Sequence, residues 1–209
     1  MSVKPILFNT EMVRAILDGR KSCTRRKIPA DIVDYCDVET DGSLLSYENH
    51  YGDFINPKNL CQYQPGDILY VRETWCKGLE RYIYRADYPD TEKFYQGGKE
   101  IIMKWRPSIH MPKKAARLFL RVANVRVERL QDITVEDALA EGMDKYIRLN
   151  GELDENSIIT SFIGIWNSTI KKSDLDFYGW DANPYVWVIE FERCNKPERE
   201  GQYDGERSD

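Results

Sequence analysis

The sequence has little of what marks several large protein classes. It holds only two histidines, His50 and His110, so a histidine-rich metal centre is not expected. Its five cysteines, Cys23, Cys36, Cys61, Cys76 and Cys194, are odd in number and include no C-x-x-C pair. That argues against a zinc knuckle and against a secreted disulfide framework, and points to a reducing cytoplasm. No apolar run approaches the ~20 residues of a membrane span. The opening residues, MSVKPILFNTEMV, lack the charged and apolar regions of a signal peptide. P-loop, G-x-G-x-x-G, H-E-x-x-H and G-x-S-x-G patterns are missing, which speaks against an NTPase, a Rossmann oxidoreductase, a zincin and an α/β-hydrolase. Internal repeats and low-complexity stretches are missing as well.

What is present is a chain of 209 residues, 42% hydrophobic and 31% charged, long enough for one domain with a real core. The net charge of −5 is unevenly spread. Residues 20–27 carry five basic residues and no acid, and residues 99–129 carry nine against Glu100 and Glu128. Residues 31–54 carry seven acids and no base. This predicts a polarised molecule with a basic face able to attract phosphates, although solvated strand and loop faces give the same pattern.

Periodicity sets the expected elements. Ile6-Leu7-Phe8 reads as a short buried strand, Thr10 as the N-cap of a helix over 11–18, and Gly19 as its C′ residue. Residues 30–64 are acidic and turn-rich, an irregular stretch with a hairpin near Leu44-Leu45. The Pro65-Gly66 turn leads into ILYVRETW, where Leu69, Val71, Glu73 and Trp75 share one face. A second elaboration follows, with a strand RYIYRA and a turn at Gly97-Gly98. In RLFLRVANVRVERL the apolar phase slips from Leu118, Leu120 and Val122 to Val125 and Val127, which a bulge near Ala123-Asn124 explains. Thr134 opens a short helix ended by Gly142, and a second helix spans 157–170. PYVWVIEFER is a strand with Tyr185, Trp187, Ile189 and Phe191 on one face. The polar tail 195–209 is expected to be disordered. Few helices between β runs favour a small mixed or antiparallel barrel over a doubly wound sheet.

The segment Gly19-Arg20-Lys21-Ser22-Cys23-Thr24-Arg25-Arg26 is the strongest candidate for chemistry. Its cations suit a phosphate or a base carbonyl, and a desolvated Lys21 would serve as a base toward the Thr24 hydroxyl. The plainer alternative is a basic loop with Thr24 as a cap. Glu73 is a second candidate, either buried in the barrel mouth against Arg26 or Lys21, or exposed. Trp105-Arg106, amid Lys104, Lys113 and Lys114, offers a stacking plate with phosphate contacts, or else a plug beneath the insertion. Trp166 and Trp187 read as core, and Trp180 as a loop anchor or pocket wall. His110 alone supports no assignment.

Leu17-x-Gly19-x-Lys21-x-x-Thr24-x-Arg26 resembles the signature of the ASCH domain, within the PUA-like superfamily. PGDILYV (65–71), RLFLRVANVRVERL, TVEDALAEGM (134–143) and WVIEF (187–191) follow in the matching order. GDILYVRETW and KWRPSIHMP further resemble the longer ASCH proteins of bacteriophages and prophages. The resemblance implies an α+β fold: one domain over 1–194, a PUA-like bent β-barrel with flanking helices, interrupted by irregular insertions at 28–62 and 76–115. PUA-like domains commonly bind RNA or modified nucleobases. One ASCH branch hydrolyses N4-acetylcytidine through a Lys, a Thr and a Glu, which fall here on Lys21, Thr24 and Glu141; another is linked to RNA cleavage. In that chemistry Thr24 Oγ or a water attacks the acyl carbonyl, Lys21 takes the proton, Glu141 protonates the departing amine and Arg26 steadies the oxyanion.

The first expectation is therefore binding of single-stranded RNA or a modified nucleoside or nucleotide, with Arg25, Arg26, Glu73, Trp105 and Arg106 as contacts. The alternatives are a hydrolase, either an N4-acylcytidine amidohydrolase or a ribonuclease, and a phage accessory or morphogenesis scaffold that binds protein partners. No metal or organic cofactor and no membrane is implied. The expected compartment is the cytoplasm, that of the bacterial host if the chain is phage-encoded.

Overall fold

The computed structural model describes residues 2–34, 36–38, 44–48, 53–78, 80–143, 148–149 and 152–197. Its centre is a five-stranded mixed sheet built from β1 (Val3–Leu7), β2 (Cys23–Lys27), β3 (Ile68–Arg72), β4 (Phe119–Arg129) and β5 (Tyr185–Cys194), in the order β1-β3-β4-β5-β2. β1 and β3 run parallel, and the remaining pairs are antiparallel. The fold is thus α+β, as expected. The expected barrel needs correcting: among the described residues β1 and β2 form no strand pair, so the sheet is open. One side chain spans the gap, and a second caps the β1 edge. Arg26 Nη2 on β2 donates to the Leu7 carbonyl on β1 at 3.1 Å, and the Tyr63 hydroxyl donates to the Pro5 carbonyl at 2.8 Å. These bonds satisfy edge carbonyls that would otherwise need water.

The register of β4 against β5 shifts between Val122 and Asn124, placing the bulge where the apolar phase slips. Leu118, Leu120 and Val122 before it, and Val125 after it, enter one core with Ile6, Leu69, Val71, Tyr185, Trp187, Ile189 and Phe191. A second core lies under α2 (Val135–Ala140) and α3 (Glu155–Thr169), where Ile158, Phe162 and Trp166 meet Val186 and Val188 of β5. Fully burying each such side chain is worth about 1.5–3 kcal/mol. α1 (Thr10–Leu17) is capped by Asn9, whose Oδ1 accepts from Met12 N at 2.8 Å, one residue earlier than Thr10. Gly19 follows it at φ 76°.

The first insertion is more ordered than expected. Cys36–Val38, Leu44–Glu48 and Phe54–Ile55 form a three-stranded antiparallel sheet, with the stretch at Leu44-Leu45 opening its middle strand. In the second, Tyr82–Tyr84 pairs with Trp75–Lys77, and Gly97-Gly98 turns a hairpin between Phe94–Gln96 and Lys99–Ile101. Arg14 of α1 holds this insertion by donating to the Ala86 carbonyl at 3.2 Å and to the Tyr88 carbonyl. Of the tail, residues 198–209 lie outside the described part.

Candidate functional site

β2 is an edge strand, so every second backbone N–H points away from the sheet. The one at Arg25 would be orphaned, and Glu141 fills the place: its Oε1 accepts from Arg25 N at 2.7 Å. Glu141 is the C-cap residue of α2, and Gly142 follows at φ 93°. The turn packs so closely on α1 that a Cβ at Gly142 would stand 2.8 Å from Ala15 Cβ and 3.4 Å from Lys21 Cβ. The Ser22 N–H donates to the Ala140 carbonyl at 2.8 Å, stitching the motif to the end of α2.

Lys21, Thr24 and Glu141 therefore come together, as the sequence motif suggests. All three are buried. Lys21 Nζ donates to Glu141 Oε2 at 2.5 Å, to the Cys23 carbonyl at 2.8 Å and to the Glu141 carbonyl at 3.1 Å. Three donors meet three acceptors, which is the complement of an ammonium. The Thr24 hydroxyl makes no hydrogen bond among the described residues and lines a narrow slot with Glu141, Met12, Met143, Phe162 and Trp166.

Arg25, expected among the ligand contacts, is engaged inside the chain. Its guanidinium meets Glu128 at 2.5 Å, Asp137 at 2.9 Å and Glu141 at 3.5 Å, with no side-chain exposure. Burial lowers its ionisation, but Glu141 and Glu128 outweigh burial and raise it. Arg126 extends the network to Glu128, Asp137 and Glu190. Glu128, Asp137 and Glu190 escaped the sequence reading; their one signal is the spacing of Glu128 and Glu190 on strands that turn out to be neighbours.

This pairing narrows the expected basic face at residues 20–27. Of the five cations in residues 20–27, Arg20 pairs with Asp18, Lys21 with Glu141, Arg25 with three carboxylates and Lys27 with Asp174. Arg26 has no carboxylate within ion-pair distance among the described residues. Its guanidinium sits 5.5 Å from the Phe8 ring centroid and donates to two backbone carbonyls, of Arg25 at 3.3 Å and of Leu7 at 3.1 Å. Burial holds its ionisation below the ordinary arginine value, with Glu141 acting the other way. Arg26 faces a cleft of about 480 Å³ walled by Leu7, Phe8, Met12, Tyr63, Thr74 and Ser108. The cleft shares Met12, Arg26 and Thr169 with the Thr24 slot, which is only about 20 Å³ as it stands.

The remaining candidates lie elsewhere. Glu73 is buried, but its partner is Arg117, at 2.9 and 3.0 Å, and not Arg26 or Lys21. Burial pushes its carboxyl up despite Arg117. Trp105, half-buried, packs with Tyr88 and Phe94 of the second insertion at centroid distances of 6.3 and 5.9 Å, with Arg85 over its face. Arg106 is exposed, 5.2 Å over the Trp75 ring. The segment they start does reach the cleft, through Pro107 and Ser108. Trp166 and Trp187 are core, and Trp180 anchors its loop against Phe162.

No family model matches the chain, and no curated protein matches it. Among solved structures it is similar to protein EF3133 from Enterococcus faecalis V583, described under family model DUF984, at 10% identity and a TM-score of 0.43, over 93% of this chain and 76% of that one. It is also similar to hypothetical protein PH0355, at 15% identity and a TM-score of 0.36, over 93% of this chain and all of that one. At these scores neither likeness carries a functional inference. Among the described residues no helix is long and apolar enough to cross a membrane.

Proposed function

We propose that the chain is an ASCH-like binding protein for a nucleobase, carried on a modified nucleoside or nucleotide or in single-stranded RNA, met in the cytoplasm. The observation that carries this reading is Arg26, without a carboxylate partner among the described residues, in a cleft of about 480 Å³ whose walls include Leu7, Phe8, Met12 and Tyr63 beside several polar side chains. A few fixed polar groups in an apolar cleft of this size are what orient a planar heterocycle. Phe8 and Tyr63 supply the walls and Arg26 the polar anchor, while the Thr24 hydroxyl waits in the adjoining slot for a small substituent of the base. The resemblance of the Lys21-x-x-Thr24-x-Arg26 motif to ASCH domains agrees with it.

The test is equilibrium binding of modified and unmodified nucleosides and short RNA to wild type and to Thr24→Val, which keeps shape and removes the hydroxyl. Binding weakened about tenfold by the loss of one buried hydrogen bond is expected. No binding of any of these ligands, or full affinity in the variant, overturns the reading.

A second reading, hydrolysis of an N4-acylcytidine or of RNA, has one observation in its favour: Lys21, Thr24 and Glu141 share one buried site. Against it, Lys21 has no donor to spare, so action as a base requires the ammonium to surrender a proton and a bond to the chain. Incubation with N4-acetylcytidine and with RNA, followed by chromatography and mass spectrometry, separates the two. Turnover lost in Lys21→Ala, with the fold retained, favours the enzyme; its absence beside intact binding favours the reader.

A further inference from the structure

We infer that the wide cleft takes a phosphate group of its ligand at Arg26, so that a nucleotide is preferred over the bare nucleoside. This rests on the cleft being a nucleobase site, and extends it to a second group of the ligand. Arg26 is a half-buried cation with no carboxylate within ion-pair distance among the described residues, where only two of the five N–H groups of its guanidinium are used. Glu141, the nearest acid by its influence on Arg26, is already committed to Lys21 Nζ and to the Arg25 N–H. A cation at the wall of a cleft, with no carboxylate already holding it, is available to an incoming anion. A guanidinium fork matches phosphate oxygens, and such charge-assisted bonds are the strong ones.

Two further lining residues of the cleft suit the same anion. The Thr74 and Ser108 hydroxyls line the cleft and make no hydrogen bond among the described residues, so both remain free to donate. Ser108 belongs to residues 101–127, a run with no Asp or Glu, so no carboxylate in that run opposes an incoming phosphate. A chloride-sized ion would use little of about 480 Å³, whereas a phosphate with its sugar and base fits the space beside Phe8, Met12 and Tyr63.

The experiment is calorimetric titration of the full chain with the four nucleosides, their 5′- and 3′-monophosphates, their dinucleoside phosphates and inorganic phosphate, at low and near-physiological salt. A monophosphate is expected to bind about tenfold or more tightly than its nucleoside, with the advantage shrinking as salt rises. The dinucleoside arm tells a terminal phosphomonoester from an internal phosphodiester. In Arg26→Gln the ratio of monophosphate to nucleoside affinity falls to near one, and Ser108→Ala, on an exposed segment that does not carry the fold, lowers the same ratio about threefold. Equal affinity of nucleosides and monophosphates in wild type overturns the inference and leaves the nucleobase reading standing. Inorganic phosphate bound through Arg26 with no nucleoside and no advantage for a monophosphate overturns both, leaving an anion site alone. If neither phosphate nor any monophosphate binds, the inference fails.

Discussion

Lys21 Nζ and Glu141 Oε2 stand 2.5 Å apart across 120 residues of chain, and both side chains are buried. The pair joins the start of β2 to the end of α2, and it sets where the Thr24 hydroxyl stands relative to the helices. Breaking a buried pair from one side costs far more than removing both members, because one charge is left without its partner. Lys21→Met is expected to destabilise the protein by about 3–5 kcal/mol, and Glu141→Gln by a similar amount since Arg25 also loses a carboxylate. The double variant is expected to lose well under the sum, and urea unfolding of the four proteins measures the coupling. Additive losses would show that the two side chains act independently.

Gly142 makes that pair geometrically possible. Its φ of 93° and the 2.8 Å approach of a built Cβ to Ala15 Cβ leave no room for a side chain. Gly142→Ala is expected to cost about 1–3 kcal/mol from backbone strain and the clash together. Adding Ala15→Gly relieves the contact but not the strain, so thermal unfolding should recover only part of the loss. Full recovery would assign the whole effect to the clash, and no loss in the single variant would show that the turn can shift.

Much of this arrangement was legible in the sequence, and its limits have physical reasons. The slip between Val122 and Val125 reported a bulge because side chains alternate strictly on a strand. Gly19 and Gly142 reported helix ends because both stand at positive φ. Glu141 was reached through the motif resemblance. The partner of Glu73 was not legible: Arg117 is 44 residues away, and nothing local pairs them. The barrel expected from the fold resemblance became an open sheet: between β1 and β2 the Arg26 side chain, which no periodicity reports, stands where a strand pair would be. The basic run 20–27 misled because charge counted along the chain ignores acids brought in from elsewhere, as Glu128, Asp137 and Glu141 are to Arg25.

Asp67 gives the fold an acid-sensitive point. Burial alone would raise its carboxyl, but hydrogen bonds from Lys4, Ser2 and the Gln64 N–H outweigh burial and hold it at about 2. A folded value below the unfolded one means stability that is present above about pH 4 and is lost as pH falls toward about 2. The contribution is about 2 kcal/mol near neutrality. Asp67→Asn should therefore be less stable than wild type by about that amount at pH 7, with the gap closing near pH 2. Urea unfolding at both values checks it; a gap independent of pH would remove the carboxylate from the account.

Cys23 offers a probe of the candidate site that needs no ligand. It lies beside Thr24, its carbonyl accepts from Lys21 Nζ at 2.8 Å, and its own thiol is buried. Burial, reinforced by Glu141, pushes that thiol up to about 12. At pH 8 only about one molecule in ten thousand would then carry the reactive thiolate. Iodoacetamide should thus modify the half-buried Cys36 and Cys194 before Cys23, which reacts only when α2 parts from the edge of β2. Peptide mass spectrometry against time measures these rates in one sample. A ligand held in the slot beside Thr24 should slow Cys23 further while leaving Cys194 unchanged, because only the former needs the slot wall to move. Labelling of Cys23 as fast as Cys194 in the free protein would mean that the Lys21–Glu141 pair does not hold the wall closed.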